Sequence, residues 1–152
     1  EFQLLGHLDT ASPTAISKEQ MDIWVDDGYV KYLGSSDDVR VEIAQANCVV
    51  LPSFYREGTP RILLESASME KPIITTDNVG CRDVVDDGIN GYLCEIRNSK
   101  DLADKMEMMI NLSNDERKTM GDAGRDKIVK EFDEKIVINK YLESIKDILE
   151  SK

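Results

Sequence analysis

Two glutamates separated by seven residues stand on either side of a Gly-Thr-Pro turn in the stretch FYREGTPRILLE, residues 54–65. Pro60 suits the first position of a helix because the N–H that proline lacks would be unpaired there, and Thr59 is predicted to be the N-cap. The free N–H groups and the positive dipole end of such a helix favour a phosphate. Gly58 carries no side chain that would keep a ligand away from this backbone.

The spacing of the two glutamates predicts contacts on both sides of that phosphate. Glu65 lies five residues beyond Pro60, which corresponds to about 7 to 8 Å along a helix axis. Its carboxylate would reach the hydroxyls of a ribose, and Glu57 would meet the group attached to a far phosphate. This geometry suits a nucleoside diphosphate sugar. The alternative is structural: Glu65 only pairs with Arg61 at i,i+4, and Glu57 is only an acid favoured near a helix start.

Short apolar runs that alternate with segments of helical period place this stretch in an α/β fold. Five runs are predicted to be buried strands, at 2–5, 29–33, 48–51, 73–76 and 92–94. Helices are predicted from Ser17 with Gln20, over 39–46 after Ser36 to Asp38, over 60–69, over 83–86 up to Gly88, from Ser99 to about Leu112, from Ser113 with Glu116, and from Asp133 towards Leu149.

This order of elements predicts a Rossmann-like parallel sheet with helices on both faces, followed by a helical tail. Residues 54–65 then form a strand-to-helix turn at the carboxyl edge of the sheet. Open α/β folds bind their ligands at that edge.

The composition narrows the class of protein further. The chain has 152 residues, the length of one domain, and its net charge of -11 argues against nucleic acid as a partner. No apolar run approaches the ~20 residues of a membrane helix. Cys48, Cys81 and Cys94 lack CxxC spacing and are predicted to be buried thiols, which suits a reducing cytoplasm. His7 is the single histidine, so a Ser-His-Asp or Cys-His mechanism is disfavoured.

Three motifs in order resemble one enzyme family. They are S-x-x-R-E-G-x-P-R-x-x-L-E, P-I-I-T-T-D and G-C-R-D-V-V-D-D-G-x-N-G-Y-L. They resemble the carboxy-terminal domain of family 4 retaining glycosyltransferases, which have the GT-B fold, and the resemblance runs from FQLLG to FDEKIVINKYL. The family's E-x7-E motif matches Glu57 and Glu65.

The resemblance implies a role for each residue of this stretch. Glu65 would hold the ribose hydroxyls, and Glu57, the catalytic residue, would hold a hydroxyl of the donor sugar. The amides near Gly58 and Thr59 would face the sugar and the diphosphate. The donor-binding residues implied are Arg56, Glu57, Gly58, Thr59, Pro60, Arg61 and Glu65.

The implied reaction moves a sugar from a nucleoside diphosphate to an acceptor hydroxyl with retention at the anomeric carbon. The departing phosphate oxygen would take the acceptor's proton, so no protein nucleophile is required. No cofactor and no metal are implied, and Asp37-Asp38 and Asp86-Asp87 are interpreted as helix caps. The partners would be a nucleotide sugar donor and a saccharide or lipid-linked acceptor, in cell-surface polysaccharide or glycolipid synthesis. A cytoplasmic location is expected, with the inner face of the cell membrane as the alternative for the intact enzyme.

Two parts of the family's pattern lie outside residues 1–152. They are the amino-terminal acceptor domain and the first β-α unit of this domain, which carries an Arg and a Lys that clamp the diphosphate. The chain is therefore expected to be a nucleotide-sugar-binding fragment that is inactive alone, and a membrane surface is expected only through the missing domain. Arg56, Arg61 and Arg82 are the cations expected beside the site.

The absent first strand would belong between the FQLLG and CVVLP strands. These two strands would either pair directly, giving a five-stranded sheet, or leave a slot of unpaired backbone groups. Either arrangement predicts a less stable fragment that self-associates.

Two other functions remain open from the residues alone. One is a non-catalytic α/β module that binds a phosphate or nucleotide. The other is a GT-B sugar-nucleotide epimerase, although the single His7 makes its acid-base pair hard to supply.

Overall fold

The computed structural model describes residues 1–8, 15–56 and 58–150. The chain divides into two compact units, Glu1–Val39 and Arg40–Lys152. The first unit contains strand β1 (Gln3–Leu4), helix α1 (Lys18–Asp26) and strand β2 (Lys31–Tyr32). The two strands pair in parallel. The Ser17 side chain caps α1 as predicted, because it accepts a hydrogen bond from the Gln20 N–H at 3.2 Å.

The second unit is a three-stranded parallel sheet with five helices. Its elements are α2 (Arg40–Gln45), β3 (Val49–Leu51), α3 (Arg61–Ser68), β4 (Ile73–Thr76), β5 (Gly91–Cys94), α4 (Ser99–Asn111), α5 (Asn114–Glu131) and α6 (Glu134–Glu150). The strand order is β3-β4-β5. All pairs in this sheet are parallel. The predicted fold class, a parallel α/β sheet followed by a helical tail, is confirmed.

Helices cover both faces of the three-stranded sheet. Successive side chains of a strand point to opposite faces. Ile73 accordingly packs in one buried cluster with Leu63 of α3 and Ile128 of α5. Its neighbour Ile74 packs in a second cluster with Met109 of α4. These two apolar clusters fix the sheet between its helices and so hold its carboxyl edge in place.

The five strands form two sheets rather than one. β1 pairs with β2, and β3 pairs with β4. Direct pairing of the FQLLG strand with the CVVLP strand was one of the two arrangements expected, and this pair is not among the strand pairs of the described residues.

The caps of the helical tail were predicted in part. Ser113 and Glu116 form the expected capping box at the start of α5, with reciprocal side-chain to backbone bonds. The cap of α4 is Asn98 and not Ser99, because the Asn98 side chain accepts from the Asp101 N–H at 3.0 Å. None of the α6 side chains is buried.

The predicted short helix at 83–86 is wrong, since residues 83–84 form a turn and residues 85–86 have no regular secondary structure. Asn90 is the physical reason. It is 2% exposed, and its Oδ1 accepts from the Asp86 N–H at 2.7 Å. Its Nδ2 donates to the Val84 carbonyl at 2.9 Å. The asparagine side chain thus takes backbone groups that a helix would have used.

Asp86 and Asp87 are not the helix caps that the sequence predicted. Asp86 accepts a hydrogen bond from Lys127 Nζ of α5 at 2.6 Å. Asp87 Oδ1 accepts from the Leu93 N–H at 2.8 Å. Both acids therefore hold the turn that leads into β5, at the amino edge of the sheet.

Gly91, the first residue of β5, is required by backbone packing. A Cβ at this position would lie 2.0 Å from the Ile73 carbonyl oxygen. The motif D-D-G-x-N-G is thus explained by the structure of the amino edge alone.

The three cysteines are free thiols, with Cys81 and Cys94 buried and Cys48 partly buried. Burial raises the pKa of the Cys48 thiol from 9.0 to about 12. Burial also raises the pKa of Cys94, with a smaller contribution from Asp101. The predicted burial is confirmed for Cys81 and Cys94. Among the described helices, none is both long enough and apolar enough to span a bilayer.

Candidate functional site

The carboxyl ends of β3, β4 and β5 meet at one edge of the sheet because all three strands run in parallel. The segment after β3, residues 52–60, leads directly into α3. This segment carries the predicted donor-binding residues. Glu57 itself lies outside the described residues, so its proposed catalytic role stays a prediction.

The start of α3 differs from the prediction by one residue. Pro60 is the N-cap, with φ of -63° and ψ of 126°, and within the described residues no side-chain hydrogen bond caps the helix. An extended ψ excludes Pro60 from the helix, so Thr59 cannot be the cap. The Pro60 carbonyl accepts from the Leu63 N–H at 3.1 Å. A helix start without a side-chain cap leaves its first N–H groups available to an anion.

Gly58 faces open space beside this helix start. Among the described residues other than its chain neighbours, none has an atom within 4 Å of the position that a Cβ at Gly58 would occupy. Its φ is outside the left-handed region, unlike the φ of 77° at Gly88. Neither packing nor backbone conformation therefore explains this glycine, whereas both explain others in the same unit. The room beside it fits the close approach of a ligand to the backbone.

Glu65 lies on the helix that starts at this turn. Its Oε1 accepts an ion-pairing hydrogen bond from Arg61 Nη2 at 3.1 Å, and the two side chains are 34% and 89% exposed. Such an exposed i,i+4 pair stabilises a helix by only about 0.2 to 0.5 kcal/mol. The structural alternative for Glu65 is thus present in the ligand-free chain, and it holds the carboxylate too weakly to prevent hydrogen bonds to a ribose.

The other predicted residues lie in the same segment. Arg56 and Gly58 are exposed, while Thr59 and Pro60 are half-buried. Arg82, which was expected beside the site, forms an ion pair with Asp77 at 3.0 Å just after β4. The fold thus brings these residues to the carboxyl edge, as the sequence predicted.

Arg97 is a fourth cation at this edge, and it was not predicted from the sequence. The guanidinium of Arg97, three residues after β5, lies 4.2 Å from the centre of the Phe54 ring. Phe54 in turn contacts Tyr55, with 4.1 Å between the ring centres. The position of Arg97 just beyond a strand end was the signal that could have identified it, because parallel strands end at one edge.

A groove of about 220 Å³ opens at this edge between the segments that follow the three strands. Pro52, Thr76, Cys94 and Arg97 are among its lining residues. Among the described residues there is no group of three or more His, Cys, Asp or Glu side chains placed to hold a metal ion.

Residues 1–111 match the protein family described as "Glycosyl transferases group 1". The chain belongs to this family. Among curated relatives, the chain is similar to the N,N'-diacetylbacillosaminyl-diphospho-undecaprenol alpha-1,3-N-acetylgalactosaminyltransferase of Campylobacter jejuni. It is 32% identical over 143 residues, which make up 93% of this chain and 35% of the relative. The capsular polysaccharide biosynthesis glycosyltransferase CapM of Staphylococcus aureus is 36% identical over 93 residues, 60% of this chain and 23% of CapM.

Solved structures show that the chain has the fold of this family. A glycosyltransferase from Rickettsia africae superposes with a TM-score of 0.82 at 21% identity, over 100% of this chain and 41% of that structure. Anabaena Alr3699/HepE, solved in complex with UDP-glucose, superposes with a TM-score of 0.79 at 22% identity, over 95% of this chain and 40% of that structure. The chain spans only 19% to 35% of the length of the curated relatives it matches.

Proposed function

We propose that this chain binds the nucleotide sugar of a glycosyltransferase, and that the intact enzyme transfers the sugar to an acceptor hydroxyl in cell-surface polysaccharide or glycolipid synthesis. The observation that carries the proposal is the start of α3. The helix has no side-chain cap among the described residues, and Gly58, just before it, faces open space. Glu65 lies on this helix and is held only by an exposed ion pair. In a group 1 glycosyl transferase, this arrangement suits a diphosphate at the helix start and a ribose beside the glutamate.

The uncapped amides of α3 stabilise the negative charge that builds on the leaving diphosphate. Preorganised donors of this kind act where charge develops, and they lower the barrier without reorganising during the reaction. Arg56 and Arg61 add positive charge near the same helix start. Glu65 fixes the ribose, and Glu57 fixes a hydroxyl of the donor sugar.

Transfer proceeds with retention at the anomeric carbon. The bond from that carbon to the phosphate oxygen breaks, and the bond to the acceptor oxygen forms on the same face. The departing phosphate oxygen takes the acceptor's proton, so the reaction needs positioning rather than a protein nucleophile.

The acceptor is a saccharide or a lipid-linked saccharide. The name of the Campylobacter jejuni relative specifies a diphospho-undecaprenol acceptor, which supports the lipid-linked alternative. The enzyme would then work in the cytoplasm at the inner face of the cell membrane, and the acceptor would be bound by parts of the intact protein outside this chain.

Acceptor-dependent release of UDP from the intact protein tests the proposal. UDP-glucose, UDP-N-acetylglucosamine and UDP-N-acetylgalactosamine are offered with a short-chain polyprenyl diphosphate saccharide, and UDP is measured with and without that acceptor. We expect release from at least one donor that requires the acceptor. Binding of UDP without any transfer would instead identify a nucleotide-binding module. Conversion of a donor into its epimer would identify an epimerase.

A further inference from the structure

The segment that runs from Leu51, the last residue of β3, to the start of α3 is held in place by side chains at and just after the end of β4. The backbone pairing of the two strands ends at Leu51 opposite Thr75. Beyond that point side chains continue the pairing: Thr75 Oγ1 donates to the Leu51 carbonyl at 2.8 Å, and Thr76 Oγ1 donates to the Ser53 carbonyl. Asn78 Nδ2 donates to the Tyr55 carbonyl at 2.9 Å.

The acceptors of these three bonds belong to alternate residues of the segment. In extended chain, alternate groups point to the same side, so one row of carbonyls faces β4. The segment that leads to the donor site is therefore an extension of β3 that side chains, rather than backbone N–H groups, attach to the sheet.

These donors are among the most deeply buried polar groups of the molecule. The buried polar residues in the described ranges are Ser66, Thr75, Thr76, Asn78 and Asn90. Three of these five donate to this single segment. A buried polar group costs free energy unless it is hydrogen-bonded. These three buried side chains therefore depend on their bonds to the segment.

Of the three donors, Asn78 bonds the carbonyl that lies nearest in sequence to the proposed site, that of Tyr55. Asn78 is 3% exposed. Its Nδ2 holds Tyr55, and its Oδ1 accepts from the Val79 N–H at 2.9 Å. Both functions of the amide are thus used, and one of them reaches across 23 residues of sequence.

We propose that Asn78 is a positioning residue for sugar transfer. It fixes the Tyr55 carbonyl two residues before Glu57, and so sets where the backbone that carries Glu57 and Gly58 meets the donor. Glu65 stands on α3, beyond the reach of this bond. Loss of the bond therefore disturbs the sugar side of the site and spares the ribose side. This inference rests on the proposed function.

Asn90 provides a matched control. It is as buried as Asn78, and its amide also accepts from one backbone N–H and donates to one carbonyl. Its bonds, however, stay within the turn at the amino edge of the sheet. Asn→Asp at either position removes the Nδ2 donor and keeps the size of the side chain.

The test compares Asn78→Asp and Asn90→Asp in the intact enzyme with its working donor and acceptor. We expect kcat to fall by at least about tenfold in Asn78→Asp, because small misplacements of reacting groups are costly. UDP affinity of that variant should change by less than about threefold, since the ribose contacts remain. Asn90→Asp should lower the melting temperature by a similar amount and leave kcat unchanged.

A double-mutant cycle separates positioning from general damage. If Asn78 acts through Glu57, then Asn78→Asp should lower kcat by no more than about twofold when Glu57 is already glutamine. If Asn78→Asp fails to fold, Thr76→Val and Thr76→Ser replace it: the valine lacks the hydroxyl donor to Ser53, and only the serine should retain kcat.

An unchanged kcat in Asn78→Asp, or an equal loss in Asn90→Asp, would overturn the inference while the wild-type enzyme still transfers sugar. A wild-type enzyme that shows no acceptor-dependent UDP release contradicts the proposed function instead.

Discussion

Two buried asparagines lie at opposite edges of the three-stranded sheet, and both bind backbone groups through their side-chain amides, but the structures that they hold differ. Asn90 precedes β5, and both hydrogen bonds of its side-chain amide go to backbone groups within six residues of it, in one turn. Asn78 follows β4 and ties two separate loops together. The Asn90 side chain thus holds only its own turn at the amino edge, whereas the Asn78 side chain holds a segment that leads to the proposed site at the carboxyl edge.

Gly91 at the amino edge and Gly58 at the carboxyl edge also differ. Gly91 has a backbone oxygen 2.0 Å from where its Cβ would be, whereas no described residue other than its chain neighbours lies within 4 Å of that position at Gly58. A close fit at Gly91 and open space at Gly58 predict opposite consequences for the same substitution.

Gly91→Ala should have the largest effect on folding. The added methyl would meet the Ile73 carbonyl, and two hydrogen-bonded strands cannot separate without loss of their ladder. We expect the free energy of unfolding to fall by at least about 3 kcal/mol, at the upper end for overpacking. Urea unfolding of the variant measures this loss, and a loss below about 1 kcal/mol would show that the strands yield easily.

Gly58→Ala should have the opposite result, with little effect on stability and a large effect on UDP binding. With open space around the methyl, we expect the unfolding free energy to stay within about 0.5 kcal/mol of wild type. A methyl where the diphosphate approaches should weaken UDP binding by about 5- to 150-fold, equivalent to about 1 to 3 kcal/mol. Calorimetry on the intact protein measures the binding. Wild-type affinity in this variant would mean that the ligand does not approach this backbone.

The sequence predicted the carboxyl edge better than the amino edge, for a physical reason. Strand ends and the Gly-Thr-Pro turn are local signals, and they correctly placed residues 54–65 at the edge of the sheet. The segment 83–86 was mistaken for a helix because Asn90 competes for its backbone through side-chain bonds. Those bonds depend on burial, which a local pattern of acids and glycine does not reveal.

The side-chain hydrogen bonds that hold the segment before α3 also could not be predicted from the sequence. Thr75 and Thr76 read simply as residues of a β-branched strand, since nothing local shows that their hydroxyls donate to a loop 23 to 24 residues earlier. Arg97 was missed because its contact with Phe54 joins segments that only the fold brings together. The role predicted for Glu57 stays a prediction.

Asp86→Ala tests whether the amino edge is purely structural. Lys127 is 12% exposed, so its ammonium would lose a 2.6 Å partner while largely buried. We expect a loss of about 1 to 3 kcal/mol in unfolding free energy and no change in UDP affinity. Asp104→Ala is the matched control, because Asp104 is 53% exposed but pairs at 2.6 Å with a lysine that is 82% exposed.

The control variant Asp104→Ala should lose no more than about 0.5 kcal/mol of unfolding free energy, as expected for an exposed i,i+4 pair. Equal losses in the two variants would show that burial of Lys127 does not matter. A drop in UDP affinity in Asp86→Ala would show that the two edges are coupled.

Cys48, which precedes β3 at the amino edge, gives the smallest effect at neutral pH. Burial raises its pKa from 9.0 to about 12, so the thiol ionises earlier in the unfolded chain than in the folded one. The stability that the neutral thiol contributes is complete below its unfolded pKa and is lost as the pH rises towards 12. Unfolding free energies of wild type and Cys48→Ala should therefore run parallel up to about pH 8 and converge or cross above pH 9. Parallel profiles through pH 11 would contradict the raised pKa.

Binding of UDP to the intact protein with Glu65→Gln and with Glu57→Gln tests the central claim most directly, the claim that the carboxyl edge holds a nucleoside diphosphate through α3 and its glutamate. By calorimetry, Glu65→Gln should weaken UDP binding by about 1 to 3 kcal/mol, since hydrogen bonds from the ribose to a charged group are lost. Glu57→Gln should leave UDP binding nearly unchanged and lower the rate of sugar transfer, because its partner is the sugar that UDP lacks. Equal effects of the two glutamate substitutions on UDP affinity, or no effect of Glu65→Gln, would contradict the account.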